Sequence, residues 1–333
     1  MYQHQIQENE AGQRFDKFLK KFLPHCSDGF LYKMMRKKNI TLNGRKATGK
    51  EKLAREDTVC FFFKEETLQT FIGKNDDKMK EYQNACHSIG EIPVLFENRH
   101  ILAAAKPAGV LTQKAKDTDV SLNEWLIGYL LATKVVNEDS LHTFKPSVCN
   151  RLDRNTSGLV ICAKTLAGAQ EMARLLKSRE LHKYYRLLVK GQITESARLE
   201  GCLVKDRTNN KVKIHRPEPA ENITGDRIIT YYQPIKSRPD RTLLEVELIT
   251  GKTHQIRAHL ASIGHPLIGD YKYGDRAVNE KYHKKYQVNA QLLHACRIEF
   301  PLLQGEFADL SGVVIEAELP SVFTEIINND MII

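Results

Sequence analysis

Residues 151–164 read Arg151-Leu-Asp-Arg-Asn-Thr-Ser-Gly158 and then Leu159-Val-Ile-Cys-Ala-Lys164, a polar turn running directly into an apolar strand. The run Leu159–Ala163 has the length and composition of a buried strand. Before it, Asp153 is packed among Arg151, Arg154, Asn155, Thr156, Ser157 and Gly158. An opposite charge a few ångströms away favours the ionised carboxylate, and an ionised, positioned carboxylate can serve as nucleophile or base. The same residues also fit a structural turn in which Asp153 and Thr156 bond to the backbone.

Downstream, His182-Lys-Tyr-Tyr-Arg-Leu-Leu-Val189 precedes Gly191, and Tyr184–Val189 reads as a strand. Neighbouring strand residues point to opposite faces, so one of Tyr184 and Tyr185 packs inward while the other faces a cleft. There its ring could stack on a nucleobase; plain core and plain surface are the alternative. Farther on stands Thr250-Gly-Lys-Thr-His-Gln-Ile-Arg-Ala-His-Leu260, followed by Gly264-His-Pro-Leu-Ile-Gly-Asp270 and Tyr273-Gly274. It predicts a helix over 253–263, capped by Thr253, with Ile256, Leu260 and Ile263 buried. Arg257 lies on an adjacent flank, either as a surface residue or reaching a carboxylate bidentately. His254, His259 and His265 do not share one helical face, and no Cys or acid completes a tetrahedron, so no metal is expected.

Around these three stretches the chain alternates strands and helices. Ile92–Phe96 and Ile101–Ala105 predict a hairpin, Leu243–Leu248 and Val313–Leu319 half-buried strands, and Gly168–Arg179 a helix. No internal repeat of 20–50 residues is present. Residues 65–91 are polar, Lys- and Asp-rich around 74–81 and without clear period, which reads as a linker.

Upstream of that linker, Phe15, Phe18, Leu19 and Phe22 mark a helix ended by Pro24. A second helix beginning after Ser27 or Asp28 buries Phe30, Leu31, Met34 and Met35 and turns Lys33, Arg36 and Lys37 outward together. Ile40–Leu42 reads as a strand, Asn43-Gly44 as a tight turn, and Thr58–Phe63 as a closing strand. The expected organisation is therefore a small basic α+β domain over 1–64, a linker over 65–91, and a larger mixed α+β domain over 92–333.

Length and composition agree with this division. The chain has 333 residues, 41% hydrophobic and 27% charged, which excludes a disordered or fibrous protein. No apolar run approaches a membrane span, and the N-terminus lacks the apolar core of a secretory signal. Seven scattered cysteines without Cys-x-x-Cys spacing exclude a disulfide framework and point to a reduced, cytoplasmic compartment. Net charge is +9, and residues 1–64 carry 14 Lys/Arg against seven acids, so most of the excess sits in that segment. Such asymmetry fits an appendage that binds a polyanion, or else a solvated basic face. Phosphate loops, dinucleotide fingerprints, His-Glu-x-x-His and Gly-x-Ser-x-Gly elbows are all absent from the sequence.

Together the three stretches resemble, in order and approximate spacing, the RluA family of pseudouridine synthases. That family carries Arg-Leu-Asp-x-x-Thr-Ser-Gly, a Lys-x-Tyr strand ending in Gly, and a Thr-Gly-Arg-Thr-His-Gln-Ile-Arg-x-His-Leu helix. Lys106-Pro-Ala-Gly109 and Leu293-His-Ala295 are further matches. Residues 14–64 are similar to the RNA-binding module named after ribosomal protein S-four. The resemblance implies an α+β protein whose catalytic domain has a mixed, largely antiparallel sheet of the pseudouridine synthase type, preceded by a small α+β RNA-binding domain.

It further implies Asp153 as the catalytic aspartate, Tyr185 as the active-site tyrosine and Arg257 as the partner of the aspartate. Arg151 and Arg154 would hold phosphates or fill the space left by a flipped base, and Lys33, Arg36, Lys37 and Arg45 would meet RNA in the N-terminal domain. The reaction implied breaks the uridine N1–C1′ bond, turns the base and joins C5 to C1′. Asp153 would act on the uridine as nucleophile or remove a sugar proton. No cofactor or metal is expected, the partner is RNA, most simply ribosomal RNA, and a monomer without obligatory protein partner is the default. A non-catalytic RNA-binding or ribosome-assembly factor, and the same chemistry on transfer RNA, are the alternatives. Two positions depart from the family pattern: Asn150 stands where it has His, which bears on substrate identity, and Lys252 where it has Arg. No second acid is expected beside Asp153.

Overall fold

The apolar periodicity of the N-terminal segment builds two short helices against a small sheet. A computed structural model describes residues 1–73, 76–206, 211–215 and 225–331. Strands β1 (Tyr2–Gln5), β2 (Ile40–Leu42), β3 (Arg45–Lys46) and β4 (Thr58–Phe61) pair in the order β1-β4-β2-β3. Helix α1 (Phe15–Phe22) buries all four predicted aromatic and leucine positions, and α2 (Asp28–Arg36) starts where the Phe30 N–H donates to Ser27 Oγ at 3.3 Å. Asn43 and Gly44 both take positive φ, 50° and 71°, the geometry of the tight turn that joins β2 to β3. Strand β1 has a polar sequence and was not anticipated.

Residues 65–91 are not an irregular connector. They form α3 (Glu65–Ile72) and α4 (Asp76–Ile89), apart from 74–75, which lie outside the described residues. Leu68 enters the N-terminal core, whereas Tyr82 packs with Ile127 and Leu141. Met79, Tyr82 and Ala85 recur every three residues, and that weak stripe is swamped in the sequence by the surrounding charges.

The large sheet comprises β5 (Val94–Glu97), β6 (Ile101–Lys106), β7 (Ser147–Val148), β8 (Ser157–Ala163), β9 (His182–Lys190), β10 (Ala197–Asp206), β11 (Lys211–His215), β12 (Asp226–Arg238), β13 (Arg241–Leu248), β14 (Leu293–Glu299) and β15 (Val314–Glu316). Its order is β11-β10-β12-β13-β9-β14-β8-β6-β5, with β7 beside β8 and β15 beside β14. Among the described pairs only β14 and β8 run parallel, so the sheet is mixed, as expected. Helices α5 (Leu122–Ala132), α6 (Leu166–Ser178), α7 (Gln255–Ser262), α8 (Arg276–Tyr286) and α9 (Ser321–Ile326) cover it. Strand β8 is buried along its whole length because both faces are packed: Val160 and Cys162 join the core under α5, while Leu159 and Ile161 pack with Met172 and Leu175 of α6.

The parallel pair positions the site. At Gly158, φ is 112°, and an added Cβ would stand 2.2 Å from the Ala295 carbonyl oxygen, so only glycine lets β8 approach β14 this closely. The turn 151–156 thus enters the sheet one strand from β9. Helix α7 begins later than predicted: His254 occupies the N-cap with a left-handed φ of 54° and Thr253 makes no cap. The strand expected over 313–319 is limited to β15. No described helix is long and apolar enough to cross a membrane, and all seven cysteines are free.

Candidate active site

The turn holding Asp153 is tied down from three sides. Its own backbone closes through Thr156 N–H to Asp153 O, 3.0 Å. Thr112 Oγ1 donates to Leu152 O at 2.8 Å and accepts from Leu152 N–H at 3.1 Å, while Gln291 Nε2 donates to Thr156 Oγ1 at 3.2 Å. On the third side, Lys106 Nζ, 1% exposed, donates to the carbonyls of Pro107, Val110 and Arg154 at 2.9, 2.8 and 3.1 Å. Burial brings its ammonium pKa down to about 7, against the pull of Asp153. Ser157, four residues after Asp153, meets His294 Nδ1 at 2.8 Å, and burial holds that imidazole near 4, hence neutral. Satisfied backbone groups of this kind fix a short loop far more firmly than its length alone would.

Asp153 and Arg257, 104 residues apart, are in contact: Arg257 Nη1 donates to Asp153 Oδ2 at 2.8 Å. The bidentate pairing anticipated for Arg257 goes elsewhere. Its Nε and Nη2 donate to Asp270 Oδ2 and Oδ1 at 2.7 and 2.9 Å. Asp270 is 0% exposed and its Oδ1 also accepts from Lys272 and Tyr273 N–H, at 2.8 and 3.1 Å. The expectation that no second acid stands near Asp153 is therefore corrected. Burial works against both ions, but Arg257 outweighs it for Asp270, whose pKa is lowered, and the two carboxylates outweigh it for Arg257, whose pKa is raised. Asp270 is brought in by the loop after α7, where Gly269 at φ 80° passes so close to Ala290 that a Cβ would lie 2.2 Å from its oxygen.

Further groups complete the surroundings. The Arg257 guanidinium lies 5.3 Å from the Tyr273 ring centroid, and His254 Nδ1 meets Tyr273 Oη at 3.0 Å. His254 Nε2 is 3.9 Å from Asp153 Oδ2; burial, with Arg257 adding to it, lowers its pKa despite the aspartate. Tyr185, on β9, is 5% exposed and joins the core while also lining the cleft beside Asp153. Burial first, then Asp153, raises its phenol pKa, so it stays neutral. Tyr184 turns to the other face, where Arg297 stacks 4.0 Å from its ring centroid. The two rings lie on opposite faces as expected, but one is not core and the other cleft: Tyr185 is both the buried ring and the one on the cleft side.

The cleft encloses about 710 Å³, and its lining includes six Lys/Arg (Arg151, Arg154, Lys183, Lys252, Arg257, Lys272) but one carboxylate, Asp153. Arg151 and Arg154 are exposed at its mouth. Lys252 donates to Asp226 Oδ1 at 2.7 Å, and Asn150 is turned to β8, accepting from Ile161 N–H at 2.7 Å and donating to Leu159 O at 3.3 Å. Lys33 and Arg36 on α2, Lys37 at its C-cap and Arg45 on β3 are exposed. Among the described residues no cluster of His, Cys, Asp and Glu could hold a metal ion. Such a cleft suits a polyanion, with one carboxylate set to act on a neutral group held inside. Lys106, Thr112, Asp270 and Gln291 have no catalytic side-chain pattern in the sequence. Lys106-Pro-Ala-Gly109 and the segment ending in Asp270 carry a sequence signal, but it gives neither residue a role.

Residues 100–262 match the family described as RNA pseudouridylate synthase. The chain is 27% identical over 299 residues to ribosomal large subunit pseudouridine synthase C of Vibrio vulnificus (strain CMCP6), covering 89% of this chain and 87% of that one. It is 29% identical over 296 residues to ribosomal large subunit pseudouridine synthase D of Nitrosomonas europaea, covering 88% and 78%. The solved structure of human RNA pseudouridylate synthase domain containing 4 superposes with a TM-score of 0.56 at 18% identity, over 77% of this chain and 97% of that one, a likeness of fold.

Proposed function

We propose, on the match of residues 100–262 to the RNA pseudouridylate synthase family and the likeness to synthases of that name, that the chain is an enzyme that isomerises uridine in RNA, and that it acts on large-subunit ribosomal RNA through Asp153, Tyr185 and Arg257. The observation that carries the assignment of the site is the Arg257–Asp153 contact across 104 residues of chain, with Asp270 holding the arginine from behind. Only Asp153 Oδ2 is engaged by Arg257; no partner is recorded for Oδ1 among the described residues, and the side chain is 24% exposed in the cleft. The carboxylate is thus oriented through one oxygen and reactive through the other.

In this reading the target uridine leaves its stack and enters the cleft, a step costing a few kcal/mol. Arg151 and Arg154 hold phosphates or occupy the vacated space, and Tyr185 packs against the uracil. Asp153 then acts as nucleophile on the uridine or as base toward the sugar. The N1–C1′ bond breaks, the C5–C1′ bond forms, the C5 proton leaves and N1 takes one up, so atoms and electrons balance without an external reactant. The basic face of Lys33, Arg36, Lys37 and Arg45 on residues 1–64 supplies additional phosphate contacts in an RNA-binding domain. Ribosomal RNA is favoured by the likeness to synthases named for the large subunit. A monomer suffices, since the three proposed catalytic side chains come from one chain, and a cytoplasmic location accords with seven free cysteines. The test is tritium release from large-subunit ribosomal RNA labelled with [5-³H]uridine. Release with stoichiometric pseudouridine formation supports the reading; tight binding without release makes the protein an RNA-binding factor.

A further inference from the structure

We infer that Lys183 forms an anion subsite inside the catalytic cleft that takes a phosphate of the RNA backbone adjoining the target nucleotide. This rests on the synthase reading above and adds to it a substrate contact for a residue with no assigned role. Lys183 lies two residues before Tyr185 on β9, and period-two alternation puts both on one face; both line the cleft that contains Asp153. Three neighbouring cations are answered. Arg257 is shared by Asp270 and Asp153, Lys252 pairs with Asp226, and Lys106 is saturated by three carbonyls. Lys183, part-buried, has no hydrogen bond or carboxylate partner recorded among the described residues, although burial pushes its ammonium pKa down.

A desolvated charge without a partner is costly, and proteins normally pair it. Here the partner is missing in a cleft built for a polyanion. The ammonium stands beside Gly251, where an added Cβ would lie 3.8 Å from Nζ. The absence of a side chain there leaves room for an incoming tetrahedral group. Arg151 and Arg154, being exposed at the mouth, can meet phosphates farther along the strand. Lys183 sits deeper, on the strand of Tyr185, where the phosphate next to an everted base would arrive.

The experiment compares wild type, Lys183→Met, Lys183→Gln and Lys183→Arg in tritium release from [5-³H]uridine-labelled large-subunit ribosomal RNA, at several salt concentrations, each variant first checked by its melting curve. The expected result is an apparent KM raised about 10- to 100-fold in the Met and Gln variants, as for one lost charge-assisted contact, with a far smaller change in kcat. The slope of log KM against log salt should drop by about 0.7–0.9, the signature of one phosphate, and Lys183→Arg should restore most of both. A fall in kcat at unchanged KM, a full salt slope in the Met variant, or no rescue by Arg would overturn the inference. Wild type failing to release tritium would defeat the synthase reading instead, so the two failures are told apart.

Discussion

Asp270→Asn isolates what the buried acid does. The carboxylate accepts Arg257 Nε and Nη2 and two backbone N–H groups, with none of its surface exposed. An asparagine of the same volume offers one acceptor oxygen. If that oxygen serves Lys272 and Tyr273 N–H, the amide nitrogen faces Arg257 donor to donor. Removing one partner of a buried ion pair costs about 3–5 kcal/mol, because the remaining charge stays desolvated. At roughly 2–3 °C per kcal/mol for a protein of this size, the melting temperature should fall by about 6–15 °C. Arg257 then turns its fork onto Asp153, the carboxylate left to it, and tritium release should slow about 10- to 100-fold in kcat, equivalent to about 1.4–2.8 kcal/mol of barrier. Adding Arg257→Met removes the orphaned cation, so the double variant should be more stable than Asp270→Asn alone although no more active. The assays are thermal or urea unfolding and single-turnover tritium release. A single variant that melts and turns over like wild type, or effects on stability additive within about 0.5 kcal/mol, would refute the coupling of these side chains.

Replacing Lys33, Arg36 and Lys37 together by Gln should leave stability unchanged, since all three are exposed on α2 or at its C-cap and none is in a recorded ion pair. It should weaken RNA binding and lower its salt slope by about 2–3 units; an unaltered slope would remove this face from the interface. Stability should also depend on pH through two buried imidazoles. His294 beside Ser157 and His259 beside Thr230 both sit at about 4 in the fold against 6.5 ordinarily, burial being the main cause. A depressed folded pKa gives stability that is whole above about pH 6.5 and is lost as pH falls toward 4. In urea unfolding, the stability advantage of wild type over His294→Gln should therefore shrink across that window; a constant difference would mean His294 is not held neutral.

Much of the site was legible because its chemistry is local in sequence. Asp153 is flanked by arginines and small polar residues immediately before a five-residue apolar run, a composition that favours a turn into a strand. Strand alternation separated Tyr185 from Tyr184. Arg257 could be placed on the flank of a helix and given a carboxylate as partner. Which carboxylate takes both prongs of its fork could not be read, since Asp270 arrives by a loop whose path depends on the backbone squeeze at Gly269 and Ala290. Lys106 and Thr112 work through main-chain carbonyls and amides, contacts that leave no periodic trace. Helix α4 escaped because its apolar stripe is thin among Lys, Asp and Glu, and β1 because edge strands of polar residues look like coil. The cap at Thr253 failed through a backbone preference: His254 takes the left-handed conformation and moves the helix start two residues downstream, to Gln255.

Asp153→Asn, assayed side by side for chemistry and for affinity, probes the proposed centre most directly. The substitution keeps the side-chain volume and can still accept from Arg257 Nη1, while the anionic oxygen is gone. Tritium release from [5-³H]uridine-labelled large-subunit ribosomal RNA should vanish in single turnover, with the dissociation constant for the same RNA within about twofold of wild type. Retained release, or loss of binding in parallel with loss of release, would contradict the assignment of Asp153 as the reacting carboxylate.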